Sequence, residues 1–185
     1  MAPGQLDHLV VAAQRLEAGA AAVEATLGVT LAPGGAHPQM GTHNRLLSLG
    51  EGLYLEVISV NPAAAGPRRP RWFDLDCFAG QPRLTNWVAR CENLKEALAL
   101  APPGSGEIHD LARGDFRWRM AIPADGRLPD AGCRLRRLTL VHPEAAALRV
   151  ALSGLVEDPR LALEEGAETA LRAEIATPHG VRVLA

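Results

Sequence analysis

The run Leu6-Asp7-His8-Leu9-Val10-Val11 is short, apolar and broken by polar side chains near its middle, and Leu84-Thr85-Asn86-Trp87-Val88-Ala89 repeats it in altered form. A helix-like segment follows each copy, with Leu16 or Leu94 at the matching place. The echo predicts two related halves. In the first, the β-branched content of 6–12 predicts a strand. Leu16, Ala20, Val23 and Leu27 then recur at steps of four, three and four, which puts them on one stripe of a helix over 16–27, closed by Gly28 in a left-handed cap. A brief strand is expected at 29–32, then a loop opened by Pro33-Gly34-Gly35 and running to Gly41. The runs 43–49 and 53–60 read as a hairpin around Gly50-Glu51-Gly52, so the first half has a βαβββ pattern.

The stretch 61–71 is rich in Pro, Ala, Gly and Arg and reads as a connector. The second copy begins at Leu84, with a helix over 94–100 stopped by Pro102-Pro103-Gly104 and a hairpin of 107–112 with 116–122 around Arg113-Gly114-Asp115. Where the repeat requires a fourth strand, 124–132 is turn-rich instead. A strand at 135–141, a helix at 144–155 carrying Leu148, Leu152 and Leu155, and a hairpin of 171–176 with 181–184 close the chain. The expected fold class is α+β. One domain, 1–185, is expected: module one at about 4–61, a connector at 62–82, and from 83 a degenerate second module with an added strand-helix-hairpin unit.

Composition narrows the functional classes. Across 185 residues, 18 Gly and 14 Pro imply many turns and exclude an all-helical bundle. With 19 Lys+Arg against 21 Asp+Glu, the net charge of -2 offers no positive field for nucleic acid or an anionic membrane, which leaves small-molecule or protein partners. Cys77, Cys91 and Cys133 form no Cys-x-x-Cys pair and cannot all join in disulfides, which fits a reducing cytoplasm. Neither a signal-like opening nor an apolar run of ~18 to 20 residues is present, so a soluble, unexported chain is expected.

Candidate chemistry starts at His8, an imidazole directed inward among apolar neighbours, where a polar group is costly. Strand parity places Tyr54, Glu56 and Ile58 on one face, with Leu55 and Val57 on the other. If Glu51-Gly52 forms a two-residue turn, Leu47 pairs with Glu56 and His43 with Val60, which puts His43 and Glu56 on a common face. At roughly 3.3 Å per residue they would be about 13 Å apart, so His8 is the better partner for Glu56. An imidazole and a carboxylate on adjacent strands suit zinc, manganese, iron, cobalt or nickel, given further ligands. The competing reading is a hydrogen-bonded core histidine with a neutral or ion-paired glutamate.

His43-Asn44-Arg45 can line a pocket, with His43 as a general base and Arg45 as a binder of carboxylate or phosphate. Trp72, Trp87 and Trp118 can wall an organic ligand or simply fill the core. Arg68, Arg69 and Arg71 read as a solvated loop, and Gly104-Ser105-Gly106 as a turn without phosphate-loop context. His37, His109, His142 and His179 share no metal-ligand spacing and are expected at the surface or in caps.

Leu6-Asp7-His8-Leu9-Val10-Val11, Met40-Gly41-Thr42-His43-Asn44 and Tyr54-Leu55-Glu56-Val57-Ile58 together resemble the glyoxalase-like branch of the vicinal oxygen chelate superfamily. Arg71-Trp72-Phe73, Asn86-Trp87-Val88-Ala89-Arg90 and Leu138-Thr139-Leu140-Val141-His142-Pro143 extend the likeness over most of the chain. The resemblance implies paired βαβββ modules whose sheets curve round a cavity, with divalent-metal ligands on the first and last strand of each module. His8 and Glu56 match the two ligand places of module one. Asn86 holds the first-strand place of module two, a poorer ligand than imidazole, and Trp118 falls at the place of Glu56 if the hairpins are aligned. The implied activity is metal-dependent isomerase, lyase or dioxygenase chemistry on a small oxygen-bearing metabolite. In it Glu56 and His43 are catalytic, and Asn44, Arg45, Tyr54, Trp72, Asn86, Trp87 and Trp118 contact substrate. The alternative is a non-catalytic module that sequesters a small molecule in the same cavity. A homodimer is implied by the resemblance alone.

Overall fold

The computed structural model describes residues 3–101, 110–113, 116–119 and 128–185, and of the strands at 110–113 and 116–119 it describes the backbone alone. The first half folds as β1 (Gln5–Ala12), α1 (Leu16–Leu27), β2 (Ala32–His37), β3 (Thr42–Ser48) and β4 (Tyr54–Val60). With β5 (Arg83–Arg90) these strands form one sheet in the order β2-β3-β4-β1-β5. Strand β1 runs parallel to β4, with His8 beside Tyr54 and Val10 beside Glu56. It runs antiparallel to β5, which joins the second half to the first.

The two faces of this sheet have different fates. On one, Leu9, Val11, Leu47, Leu55 and Val57 pack with the stripe Leu16, Ala20, Val23 and Leu27 of α1, the stripe the periodicity predicts. Helix α1 ends at Gly28, whose left-handed backbone donates its amide to the Glu24 carbonyl. On the other face, Val10, Ala12 and Ile58 pack against Leu75, with Trp72, Phe73 and Phe78 of the connector half-buried over them. That second face carries His8 and Glu56.

The rest of the second half comprises α2 (Leu94–Leu100), β6 (Asp110–Arg113), β7 (Phe116–Arg119), β8 (Arg134–His142), α3 (Ala145–Leu152), β9 (Leu161–Glu165), β10 (Ala170–Thr177) and β11 (Gly180–Leu184). A four-stranded sheet has the order β11-β10-β8-β9, and β6 pairs only with β7; no sheet closes into a barrel among the described residues. Leu135, Leu138, Leu140, Ala173, Ile175 and Leu184 of the second sheet join the apolar core on the α1 side of the first. The architecture is α+β with two mixed sheets, and no described helix is long and apolar enough to cross a membrane.

Four local expectations are corrected. Strand β2 is not 29–32 but runs through Pro33-Gly34-Gly35; an edge strand tolerates Pro, and a register break between Pro33 and Ala36 absorbs the irregularity. The β3–β4 hairpin pairs Leu46 with Glu56 and Thr42 with Val60, one residue off the expected register. Its loop spans Gly50-Glu51-Gly52, closed by the Leu49 amide on the Leu53 carbonyl, with Gly50 at φ 121° and Gly52 at φ 64°. Helix α3 stops at Leu152 rather than 155 because the Ser153 backbone turns extended. Strand β9 is unexpected: Leu161-Ala162-Leu163-Glu164-Glu165 has helix-forming composition, yet parallel pairing with β8 holds it extended. Of the expected 107–112 and 116–122 hairpin, 107–109 and 120–122 lie outside the described residues, as do Gly104-Ser105-Gly106, His109 and 124–127.

Candidate functional site

The site is a chain of buried polar side chains on the connector-facing side of the first sheet. Glu56 is wholly buried, at 0% exposure, and His8 is at 1%. Because Val10 sits beside Glu56 in the parallel register, His8 and Glu56 lie on the same face, two strand positions apart. His8 Nε2 and Glu56 Oε2 face each other at 3.6 Å, and neither atom has a hydrogen-bond partner among the described residues.

The surrounding bonds determine what those two atoms present. Asn44 Oδ1 accepts the Gly35 amide at 2.7 Å, so the carboxamide must direct Nδ2 at Glu56 Oε1, 2.5 Å away. Gly34 permits this approach: a Cβ there would stand 2.0 Å from Asn44 Oδ1. The same Nδ2 is 3.5 Å from His37 Nε2, which therefore carries a lone pair and leaves His37 Nδ1 to donate to Thr42 Oγ1 at 3.0 Å. On the other side, His8 Nδ1 donates to Asp7 Oδ1 at 2.7 Å, and Arg90 Nη1 lies 3.7 Å from Asp7 Oδ2. Two lone pairs thus converge from His8 Nε2 and Glu56 Oε2 on a gap too long for a hydrogen bond.

Burial pushes the Glu56 carboxyl above its usual range, opposed by His8 and by the Asn44 bond and reinforced by Asp7. Tyr54 stacks on His8 at 4.6 Å and 18°, and burial, then the charges of Glu56 and Asp7, keep its phenol protonated. Above the pair, Trp72-Phe73-Asp74 forms a short 3-10 turn. The Phe73 ring lies edge-on to His8 at 6.4 Å, and Trp72 lies edge-on to His37 at 5.1 Å. Beside the turn is a pocket of about 350 Å³ lined by Phe73, Asp74, Cys77, Phe78, Arg83, Thr85 and Asn86.

The structure sorts the expected site residues. His8, Glu56, Asn44, Tyr54 and Trp72 come together, and Asn86 lines the adjoining pocket. His43 and Arg45 do not share the Glu56 face, because the one-residue change of register turns them toward α1, where Arg45 pairs with Glu17 at 2.8 Å. Nor is His43 unperturbed: burial lowers its pKa, Glu17 opposes that, and Arg45 lowers it further. Trp87 pairs with Leu9 in register and packs into the α1-side core. The Trp118 side chain lies outside the described residues. His37, expected at the surface or in a cap, is buried within the site, whereas His142 accepts the Glu144 amide just before α3.

Sequence reasoning missed Asp7. Strict alternation turns it away from His8, but a register break between Leu6 and His8 in the β1–β5 pairing makes Asp7 the extra residue of a bulge and brings its carboxylate to the imidazole. The adjacency of Asp and His was the available signal.

The donor set can be tested against a divalent ion. Bonds of about 2.0 to 2.2 Å from nitrogen and oxygen, about 109° apart, separate the two ligand atoms by about 3.4 Å. The observed 3.6 Å fits. A histidine ligand almost always gives its other N–H to a carboxylate, carbonyl or water, the place Asp7 fills here. Among the described residues no group of three or more His, Cys, Asp or Glu converges, so the pair supplies half of a four-ligand set and leaves the other half to water or ligand oxygens.

Residues 6–144 match the glyoxalase-like domain family. Among solved structures, the chain is similar to the crystal structure of a hypothetical protein from Staphylococcus aureus, with a TM-score of 0.57 and 11% identity over 90% of this chain and 88% of that one. At that identity the likeness concerns the fold alone. No curated protein matches the sequence.

Proposed function

The chain belongs to the glyoxalase-like domain family, and from that membership and the site geometry we propose a small-molecule enzyme in which His8 and Glu56 hold a divalent metal ion. The proposed reaction class is isomerase, lyase or dioxygenase chemistry on a small oxygen-bearing metabolite. The observation that carries the reading is the convergence of two unpartnered, buried atoms at 3.6 Å, each aimed by a second bond on its far side. When bound, such an ion supplies Lewis acidity toward oxygens of the ligand.

The chain's own residues have separable tasks. Asp7 holds His8 in the tautomer whose Nε2 lone pair faces the gap. Asn44 occupies Glu56 Oε1 and so leaves Oε2 to the gap. Tyr54 fixes the plane of the imidazole by stacking. Trp72 and Phe73 exclude water, which strengthens each electrostatic contact beneath them. Burial raises the proton affinity of Glu56, so without a bound ion its Oε2 is a base that faces the His8 imidazole.

Metal-replete protein is expected to hold a divalent ion that His8→Ala and Glu56→Gln each lose; full metal content in both variants would overturn the proposal. A second reading, a binding module without catalysis, draws on the two-ligand donor set and the half-buried aromatic cover. Tryptophan fluorescence titrated with a small-metabolite panel, alongside an assay of turnover, separates the two: binding without product formation favours the module.

A further inference from the structure

We propose that the turn Trp72–Asp74 is a gate, which swings to join the 350 Å³ pocket to the His8–Glu56 pair and so forms one ligand site across β1, β4 and β5. This inference rests on the reading of His8 and Glu56 as the reactive pair. As the chain stands, nothing reaches that pair from solvent, because both residues are essentially without exposed surface. Phe73 is common to both spaces: its ring meets the His8 ring edge-on, and it lines the pocket together with Thr85 and Asn86 of β5. Displacing this one residue opens the pocket toward the His8 ring.

The closed turn carries signs of tension. Phe73 has φ 56° and ψ 25° and Asp74 has φ 52°, two consecutive left-handed residues that both bear a Cβ. L-residues rarely adopt that conformation, and where they do it clusters at clamps and switches. Trp72 Nε1, at the tip, is a buried donor without a hydrogen-bond partner among the described residues, so closure leaves it unsatisfied. The base of the turn is by contrast fastened. Asp76 accepts the Arg71 amide at 2.7 Å and pairs with its guanidinium, while Leu75 is buried in the apolar cluster beneath. A strained, under-bonded tip on a fixed base is suited to local opening.

The ligand class follows from the walls of the joined space. A volume of about 350 Å³ is at the small end for small-molecule pockets, which run on the order of 300 to 1,000 Å³. Phe73 and Phe78 offer apolar surface, the Arg83 guanidinium lies 4.4 Å from the centre of the Phe78 ring, and Asn86 offers a polar side chain. The ligand is a small organic molecule with a flat or apolar body and at least one oxygen acceptor.

The test is residue-resolved modification by diethyl pyrocarbonate, which attacks neutral imidazole, read by peptide mass mapping on the full chain without added metal. In the wild type, His8 should react at least tenfold more slowly than the exposed His179. Phe73→Ala should raise the His8 rate about tenfold, and Phe73→Leu by less, while His179 keeps its wild-type rate. If Phe73→Ala unfolds the chain, every histidine accelerates together and Phe73→Leu decides the matter. An unchanged His8 rate in folded Phe73→Ala, or in Phe73→Leu where Phe73→Ala is unfolded, overturns the gate, as does a wild-type His8 that reacts as fast as His179. Because this readout needs no metal, a missing metal ion would remove the reading of the pair yet leave the gate result standing.

Discussion

Asn44 Nδ2 lies 2.5 Å from Glu56 Oε1, and this bond decides which carboxylate oxygen remains to face His8. The arrangement depends on a backbone feature earlier in the sequence, the Gly34-Gly35 step of edge strand β2, which receives the Asn44 carboxamide oxygen.

Removing the carboxamide should therefore cost stability as well as orientation. Asn44→Ala strips a fully buried carboxylate of a donor, an effect of about 1 to 3 kcal/mol. Gly34→Ala sets a methyl group against the same carboxamide and should produce the same loss by a different route. Urea denaturation of both single variants and the double variant checks this: the double should cost less than the sum, because the two changes break one shared bond.

Asp7 should act through His8 without touching ligand. Asp7→Asn keeps an acceptor for His8 Nδ1 but removes the charge, and divalent-metal affinity is expected to fall about tenfold or more with the fold intact. Calorimetric titration with Zn²⁺ measures it, and an unaltered affinity would leave Asp7 a structural residue only.

Asp158 supplies a pH signature remote from the site. Burial pushes its carboxyl up, but hydrogen bonds from the Arg160 side chain and amide outweigh that and hold it below the usual carboxylate range. A folded pKa below the unfolded one, about 3.9, gives stability that is complete above the unfolded value and drains as pH falls through the folded one. Asp158→Asn should thus be less stable at neutral pH by about 1 kcal/mol, since the Arg160 partner is partly solvated. Thermal melts of both proteins should converge as pH falls through the folded pKa, below which Asp158 is protonated in either state.

Much of the fold was legible because simple periodicities governed it. The stripe of α1, the span Leu94–Leu100 of α2 and the β3–β4 hairpin follow from spacing alone. What escaped were single-residue irregularities. A three-residue loop in place of a two-residue turn moved His43 and Arg45 to the α1 face and put Asn44 on the Glu56 face. A bulge at Asp7 defeated alternation in β1. Strand β9 was hidden by helix-favouring residues, which yield to pairing with β8. Phe73 follows the Pro- and Arg-rich connector stretch and is given no role of its own by periodicity or spacing, although neighbouring aromatic and leucine side chains pack it over the sheet.

The central claim is that His8 and Glu56 jointly hold one divalent ion, and a Co²⁺ titration followed by visible absorption tests it most directly. The wild type should saturate at one ion per chain with ligand-field bands of a low-symmetry nitrogen and oxygen site, and both His8→Ala and Glu56→Gln should abolish those bands. Bands of undiminished intensity in either folded variant, or none in the folded wild type, would contradict it.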